Sequence, residues 1–149
     1  MGFHNNVRSS LLKACSDFKT ILASSSITVQ VKDFDAFSTM TKLPEADCIG
    51  IKNFSWVEEN SLLEIEVFFV VTTFNDENLF RHHKILDLWT PRLVVEQKIK
   101  VYDANASPLQ ELGWLVAIDG TSVLPMASND ETRNFQFISV SFVSDISVK

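Results

Sequence analysis

Glycine, proline and cysteine are scarce in this chain of 149 residues, at four, four and two. None of the glycines falls in the spacing of a phosphate-cradling loop, which excludes a nucleotide site of that kind. Cys15 and Cys48 make no disulfide framework, and a structural zinc site wants about four ligands at closer spacing, so a reduced, intracellular assembly compartment fits best. Long apolar runs are also missing. The longest strong one, Val67 to Val71, falls far short of the roughly 20 residues that span a bilayer, and the opening MGFHNNVRSS lacks the apolar core of a signal peptide. A soluble protein, not secreted and without membrane contact, is expected. Basic residues are outnumbered, 13 against 19 acids, for a formal charge of −6. Phosphate binding draws on Lys and Arg, so tight wrapping of nucleic acid is disfavoured, although its passage past the protein is not.

What is present is pattern. The 46% hydrophobic content suits a globular domain, which at this length buries roughly 70% of its unfolded surface without staples. From Asn5 to Ser24, the residues Val7, Leu11, Cys15, Phe18 and Leu22 recur at spacings of three and four, one stripe of a helix with Asn5 or Asn6 as its cap. Ser24 to Ser26 end it through competing hydroxyls, and Ile27 to Val31 alternates as a short strand. Asp33 to Asp47 reads as a loop. Cys48 to Trp56 reads as a strand with Ile49, Ile51 and Phe54 inward, and Gly50 marks a close backbone approach.

After the polar turn Glu58-Glu59-Asn60, the residues Leu63, Ile65, Val67, Phe69 and Val71 share one face of a strand. Glu64, Glu66, Phe68, Val70 and Thr72 share the other, which is wet at one end and covered at the opposite end. Asn75 to Asn78 supplies helix-start chemistry for a second amphipathic helix through Leu79, His82 or His83, Leu86 and Trp89, ended or kinked by Pro91. Periodicity does not separate a further helical turn from a strand over Leu93 to Tyr102. Asp119-Gly120, between Leu112–Ile118 and Thr121–Leu124, predicts a tight hairpin. In the closing strand, Phe135, Phe137, Ser139, Ser141 and Val143 alternate with Gln136, Ile138, Val140, Phe142 and Ser144, leaving apolar groups on both faces and one face for a neighbouring subunit. The expectation is one α+β domain over residues 1–149: a mainly antiparallel sheet of four to six strands packed with an N-terminal helix and a central helix.

Catalytic chemistry is not visible. His82 and His83 point about 100° apart on a helix and lack an accompanying HExxH pattern, so structural or surface roles are expected. Pairs of acids sit in turns or on a wet strand face and read as solvated rather than as a general acid and base. No catalytic residue, metal ligand or cofactor is expected. Charge is uneven: residues 1–57 sum to +1 and residues 58–149 to −7. Within the acidic part, Arg81, Lys84, Arg92, Lys98 and Lys100 form a local basic stretch, a candidate contact for an acidic partner against the plainer reading of a solvated helix face. Phe3, Phe34, Phe37 and Trp114 lie in loops or near ends, where aromatic groups anchor interfaces. The candidate subunit contacts are therefore the loop Phe34 to Phe37, the stretch Arg81 to Lys100, and the edge of Phe135 to Val143, with Phe135, Phe137 and Phe142 its aromatic groups.

The order of elements resembles that of bacteriophage tail terminator, or tail completion, proteins. The resemblance runs through NNVRSSLLKACSDFKTIL, CIGIKNFSW, SLLEIEVFFVVTTF, FRHHKILDLW, TSVLPM and RNFQFISVSFVSDI, and spans nearly the whole chain. It implies an α+β subunit of a homo-oligomeric, hexameric ring that caps the head-proximal end of a tail tube, halts polymerisation and presents a surface to the neck. The implied partners are the tail tube protein, a neck or connector protein, and genomic DNA that passes through the lumen without specific binding. The implied location is the virion, after assembly in the host cytoplasm. Two other readings stand beside it: a neck or head-to-tail joining adaptor, and a small-ligand-binding or enzymatic domain with convergent polar groups in an apolar pocket.

Overall fold

A computed structural model describes residues 2–34, 43–94, 96–118, 121–126, 128–129 and 132–148. Its first element, α1 (Phe3–Ser24), is about 33 Å long at the usual helical rise. The buried stripe is the expected one, extended by Phe3, Asn6 and Ser10. Neither Asn5 nor Asn6 caps the helix: extended Gly2 precedes it, and no side chain takes the cap position. Asn6 and Ser10 instead face inward, where their oxygens accept hydrogen bonds from the backbone N–H groups of Ala104 and Tyr102, each at 2.9 Å. Polar groups on a buried stripe are tolerated here because a strand edge satisfies them.

Around α1 curls one mixed sheet of β1 (Gln30–Asp33), β2 (Cys48–Glu59), β3 (Leu62–Phe74), β4 (Lys98–Asp103), β5 (Gln110–Ala117), β6 (Ser122–Val123), β7 (Ser128–Asn129) and β8 (Arg133–Ser144). Its main path runs β1-β2-β3-β8-β5-β4, with β6 and β7 beside β8; among the described residues only the β1–β2 pairing is parallel. The α+β class and the mainly antiparallel sheet are as the sequence predicts. Helix α2 (Phe80–Trp89) buries His82, Ile85 and Trp89, and Pro91 sits in the 3-10 turn Thr90–Arg92 that follows it. Lys98–Asp103 is strand, which settles the ambiguity over Leu93 to Tyr102. The first short strand begins later than expected, at Gln30, with Ile27 and Val29 buried on the way to it.

The two faces of β3 behave as their alternation dictates. Leu63, Ile65, Val67, Phe69 and Val71 are buried on the concave side against α1, along with Ile49, Ile51, Ile138, Val140, Phe142 and Leu115. On the convex side Glu64 and Glu66 are exposed, whereas Val70 joins Phe34, Cys48 and Phe135 in a second, smaller cluster. Gly50 meets the expectation of a close approach, because a Cβ there would stand 1.8 Å from the carbonyl oxygen of Lys32 on β1.

Two expectations need correction. β8 has no free edge: β3 lines one side from Arg133 to Ser144, and β5, Ile118, β6 and β7 follow one another along the other. Consequently β5 and β6 do not form a hairpin with each other. Both run antiparallel to β8 in the same direction, and Asp119-Gly120 lies outside the described residues. Among the described residues no helix is long and apolar enough to cross a membrane.

Candidate functional site

Where β2, β3, α2 and β8 meet, the chain assembles a polar cluster. The Asp47 carboxylate, just before β2, accepts from Phe74 N at 2.9 Å and from Arg81 Nε at 2.8 Å, while Arg81 Nη2 donates to the Phe74 carbonyl at 2.7 Å. Asp76 accepts from the backbone N–H groups of Arg81 and His82, at 3.0 and 2.7 Å, placing a carboxylate on the first turn of α2 where free N–H groups and the helix dipole favour one. Its hydrogen bond to Asp47 keeps Arg81 firmly charged. Arg133 reaches the carbonyls of Pro44 and Ala46 and the hydroxyl of Thr72.

Beside it runs a buried chain of single hydrogen bonds. Asn134 Nδ2 donates to Thr73 Oγ1 at 3.2 Å, Thr73 pairs with His82 Nδ1 at 3.2 Å, His82 Nε2 pairs with Gln136 Oε1 at 2.8 Å, and Gln136 Nε2 donates to the Leu124 carbonyl at 2.8 Å. Since Oε1 only accepts, His82 Nε2 carries the proton, and Nδ1 faces the Thr73 hydroxyl, which donates to it when the imidazole is neutral. Burial lowers its pKa, with the Gln136 hydrogen bond opposing. Among the described residues no buried polar side-chain atom lacks a partner. A network this fully satisfied clamps α2 onto the sheet. Burial also pushes the thiols of Cys15 and Cys48 upward, which makes them poor nucleophiles. No group of three or more potential metal ligands occurs among the described residues.

The expected contact residues divide. Phe34, Phe135 and Phe142 are buried, and Phe137 is half-buried beside Phe135, so they are core rather than anchors. Arg81 is held by Asp47 and Asp76. Phe37 lies outside the described residues. Lys84 stands exposed on α2 and does not line the cleft formed near the other cations. Arg92, Lys98 and Lys100 do come together, with Lys13 of α1, around an open cleft of about 310 Å³ between α1, the end of α2 and β4. Lys98 and Lys100 lie over the ring of Trp114, at 5.8 and 5.1 Å from its centroid. Lys100 is paired with Glu111 at 2.8 Å and Lys13 with Asp17 at 3.6 Å. Arg92 and Lys98 form no ion pair with a described residue.

Five of the eight exposed large apolar side chains among the described residues lie on two hairpins; of the other three, Phe80, 73% exposed, begins α2, Val94 follows the 3-10 turn and Val123 is in β6. At the β2–β3 tip, Val57 is 62% and Leu62 46% exposed, set among Glu58, Glu59 and Glu64. At the β4–β5 hairpin, Leu109, Leu112 and Trp114 are exposed next to the cationic rim. Sequence reasoning missed Val57, Leu62, Leu109 and Leu112. The signal available was that Val57 breaks the polar convex face of β2, sharing its side with Ser55 and Glu59. No protein-family model matches this chain, and no curated protein sequence matches it.

Proposed function

We propose that the chain is a structural subunit of a bacteriophage virion, a tail terminator that closes the head-proximal end of the tail tube as a homo-oligomeric, hexameric ring. The observation that carries the reading is the pair of unlike apolar surfaces on the β2–β3 and β4–β5 hairpins. A closed ring joined head to tail needs two different complementary patches on every subunit, whereas a two-fold dimer needs one self-complementary patch. The layout of helices and strands supports the same assignment through its resemblance to tail terminators. In this role the tail tube protein and a neck or connector protein are the partners, and genomic DNA passes a lumen whose subunits each carry −6 without being held.

Native mass spectrometry of the purified protein with electron microscopy of isolated tails tests the proposal. A ring with a central channel, found at the head-proximal end of the tube, is expected; tails of normal length without this protein would refute it. A ring placed on the head side of the joint would assign the neck-adaptor role instead. The cleft of about 310 Å³ favours a second reading, a binding domain for a small anion, since ligand pockets begin near this size. Calorimetric titration with inorganic phosphate and aromatic carboxylates checks it, and heat matching saturable, stoichiometric binding by a monomer would favour it over the ring.

A further inference from the structure

The two hairpins sit at the same end of the sheet. Leu63 at the start of β3 is paired with Ser144 of β8, and Ser144 is paired with Leu115 of β5. The β2–β3 tip at Asn60 and Ser61 therefore projects past the end of β8 on the side towards which the β4–β5 hairpin also extends. In the strand order one hairpin lies on each side of β8, β2–β3 on one and β5–β4 on the other. The tip is acidic, whereas the other flank is mixed, with Lys13 and Lys100 paired to Asp17 and Glu111 and with Glu96 exposed between Arg92 and Lys98. The tip carries Glu58, Glu59 and Glu64, exposed and without an ion pair among the described residues, whereas Arg92 and Lys98 on the other flank are exposed cations equally unpaired.

We propose that, within the ring reading above, the β2–β3 tip of one copy docks on the cleft rim and β4–β5 hairpin of the next, setting Val57 and Leu62 against Trp114 and Leu112 and the tip glutamates against Arg92 and Lys98. Each copy then offers one surface of each kind, and the contact repeats around a closed circle. Tip-to-tip pairing would bring like charges together. β4 ends the strand path beside β5, its Tyr102 N–H held by Ser10 of α1, and the cleft lined by α1, β4 and the end of α2 leaves Lys98 and Trp114 exposed on this flank. The apolar groups supply affinity and the charges supply register.

The test uses the full chain in three forms: wild type, Glu58→Lys/Glu59→Lys, and Arg92→Glu/Lys98→Glu. All four side chains are exposed, and circular dichroism melts verify that folding is unchanged. Each reversed form alone is expected to lose the ring, with its dissociation constant raised at least about tenfold. Mixed in equal amounts, the two reversed forms are expected to rebuild rings of 1:1 composition, because the lysine tip meets the glutamate rim and the native tip meets the native rim. Reversed forms that each assemble like wild type, or a mixture that stays dissociated, would overturn the docking while leaving a wild-type ring intact. A wild-type protein that is monomeric at all concentrations would overturn the ring reading and the docking together.

Discussion

Replacing Asp47 is the sharpest probe of what holds α2 to the sheet. Asp47 is 7% exposed, and its two oxygens accept from Phe74 N and from Arg81 Nε and Nη2. Asp47→Ala removes all of these partners at once, leaving one backbone N–H and one guanidinium to find others. Breaking a buried ion pair from one side costs about 3–5 kcal/mol. The Arg81 side chain is 39% exposed and regains water, so the expected loss is smaller, about 2–4 kcal/mol. For a domain of this size that corresponds to a fall in Tm of roughly 5–15 °C. Asp47→Asn, which keeps an acceptor but loses the charge, is expected to lose about half as much. Urea unfolding followed by tryptophan fluorescence, in a double-mutant cycle with Arg81→Met, isolates the pair, and a coupling of at least about 1 kcal/mol is expected. Asp47→Ala within about 0.5 kcal/mol of wild type would refute the clamp.

Burial depresses the His82 pKa below its ordinary 6.5, so folded protein resists protonation there and stability is full above pH 6.5, then declines as pH falls toward the depressed folded value. His82→Gln is expected to flatten that part of the Tm–pH curve, and an unchanged slope would contradict the neutral, hydrogen-bonded imidazole. Gly50→Ala is expected to cost about 1–3 kcal/mol in urea unfolding, because the added Cβ meets the Lys32 carbonyl and displaces β1; a neutral result would show that β1 yields freely. Trp89 stacks on Phe18 at 4.9 Å and meets Phe69 edge-on at 5.3 Å, so Trp89→Ala is expected to cost about 3–5 kcal/mol by chemical denaturation, and a loss under about 1 kcal/mol would contradict its place in the core.

Periodicity carried the parts of the fold that are local. The stripe of α1, the two-faced β3 and the close approach at Gly50 follow from spacing alone, because the side-chain period and the pleat leave little choice. Pairings between distant segments were not legible. Asp119-Gly120 has the composition of a hairpin turn, yet β5 and β6 share the same partner, and nothing local says that a strand resumes against the same neighbour. The apolar second face of β8 was read as a subunit contact, whereas Phe34 packs on its Phe135 within the chain. Arg81 looked like part of a free basic patch because Asp47 lies 34 residues before it in the sequence. Of the candidate interface, Arg92, Lys98 and Lys100 were visible as a charge run, and Trp114 as an aromatic group. The acidic tip with Val57 and Leu62 passed for an ordinary wet turn.

The central claim is that unlike surfaces on one subunit close a circle of copies. Native mass spectrometry of the wild-type chain across a dilution series tests it most directly. A single closed species of six copies, persisting on dilution and loosening at high salt, is the predicted result. A lone 16.8 kDa chain at every concentration, or an open series of ever longer oligomers, would contradict it.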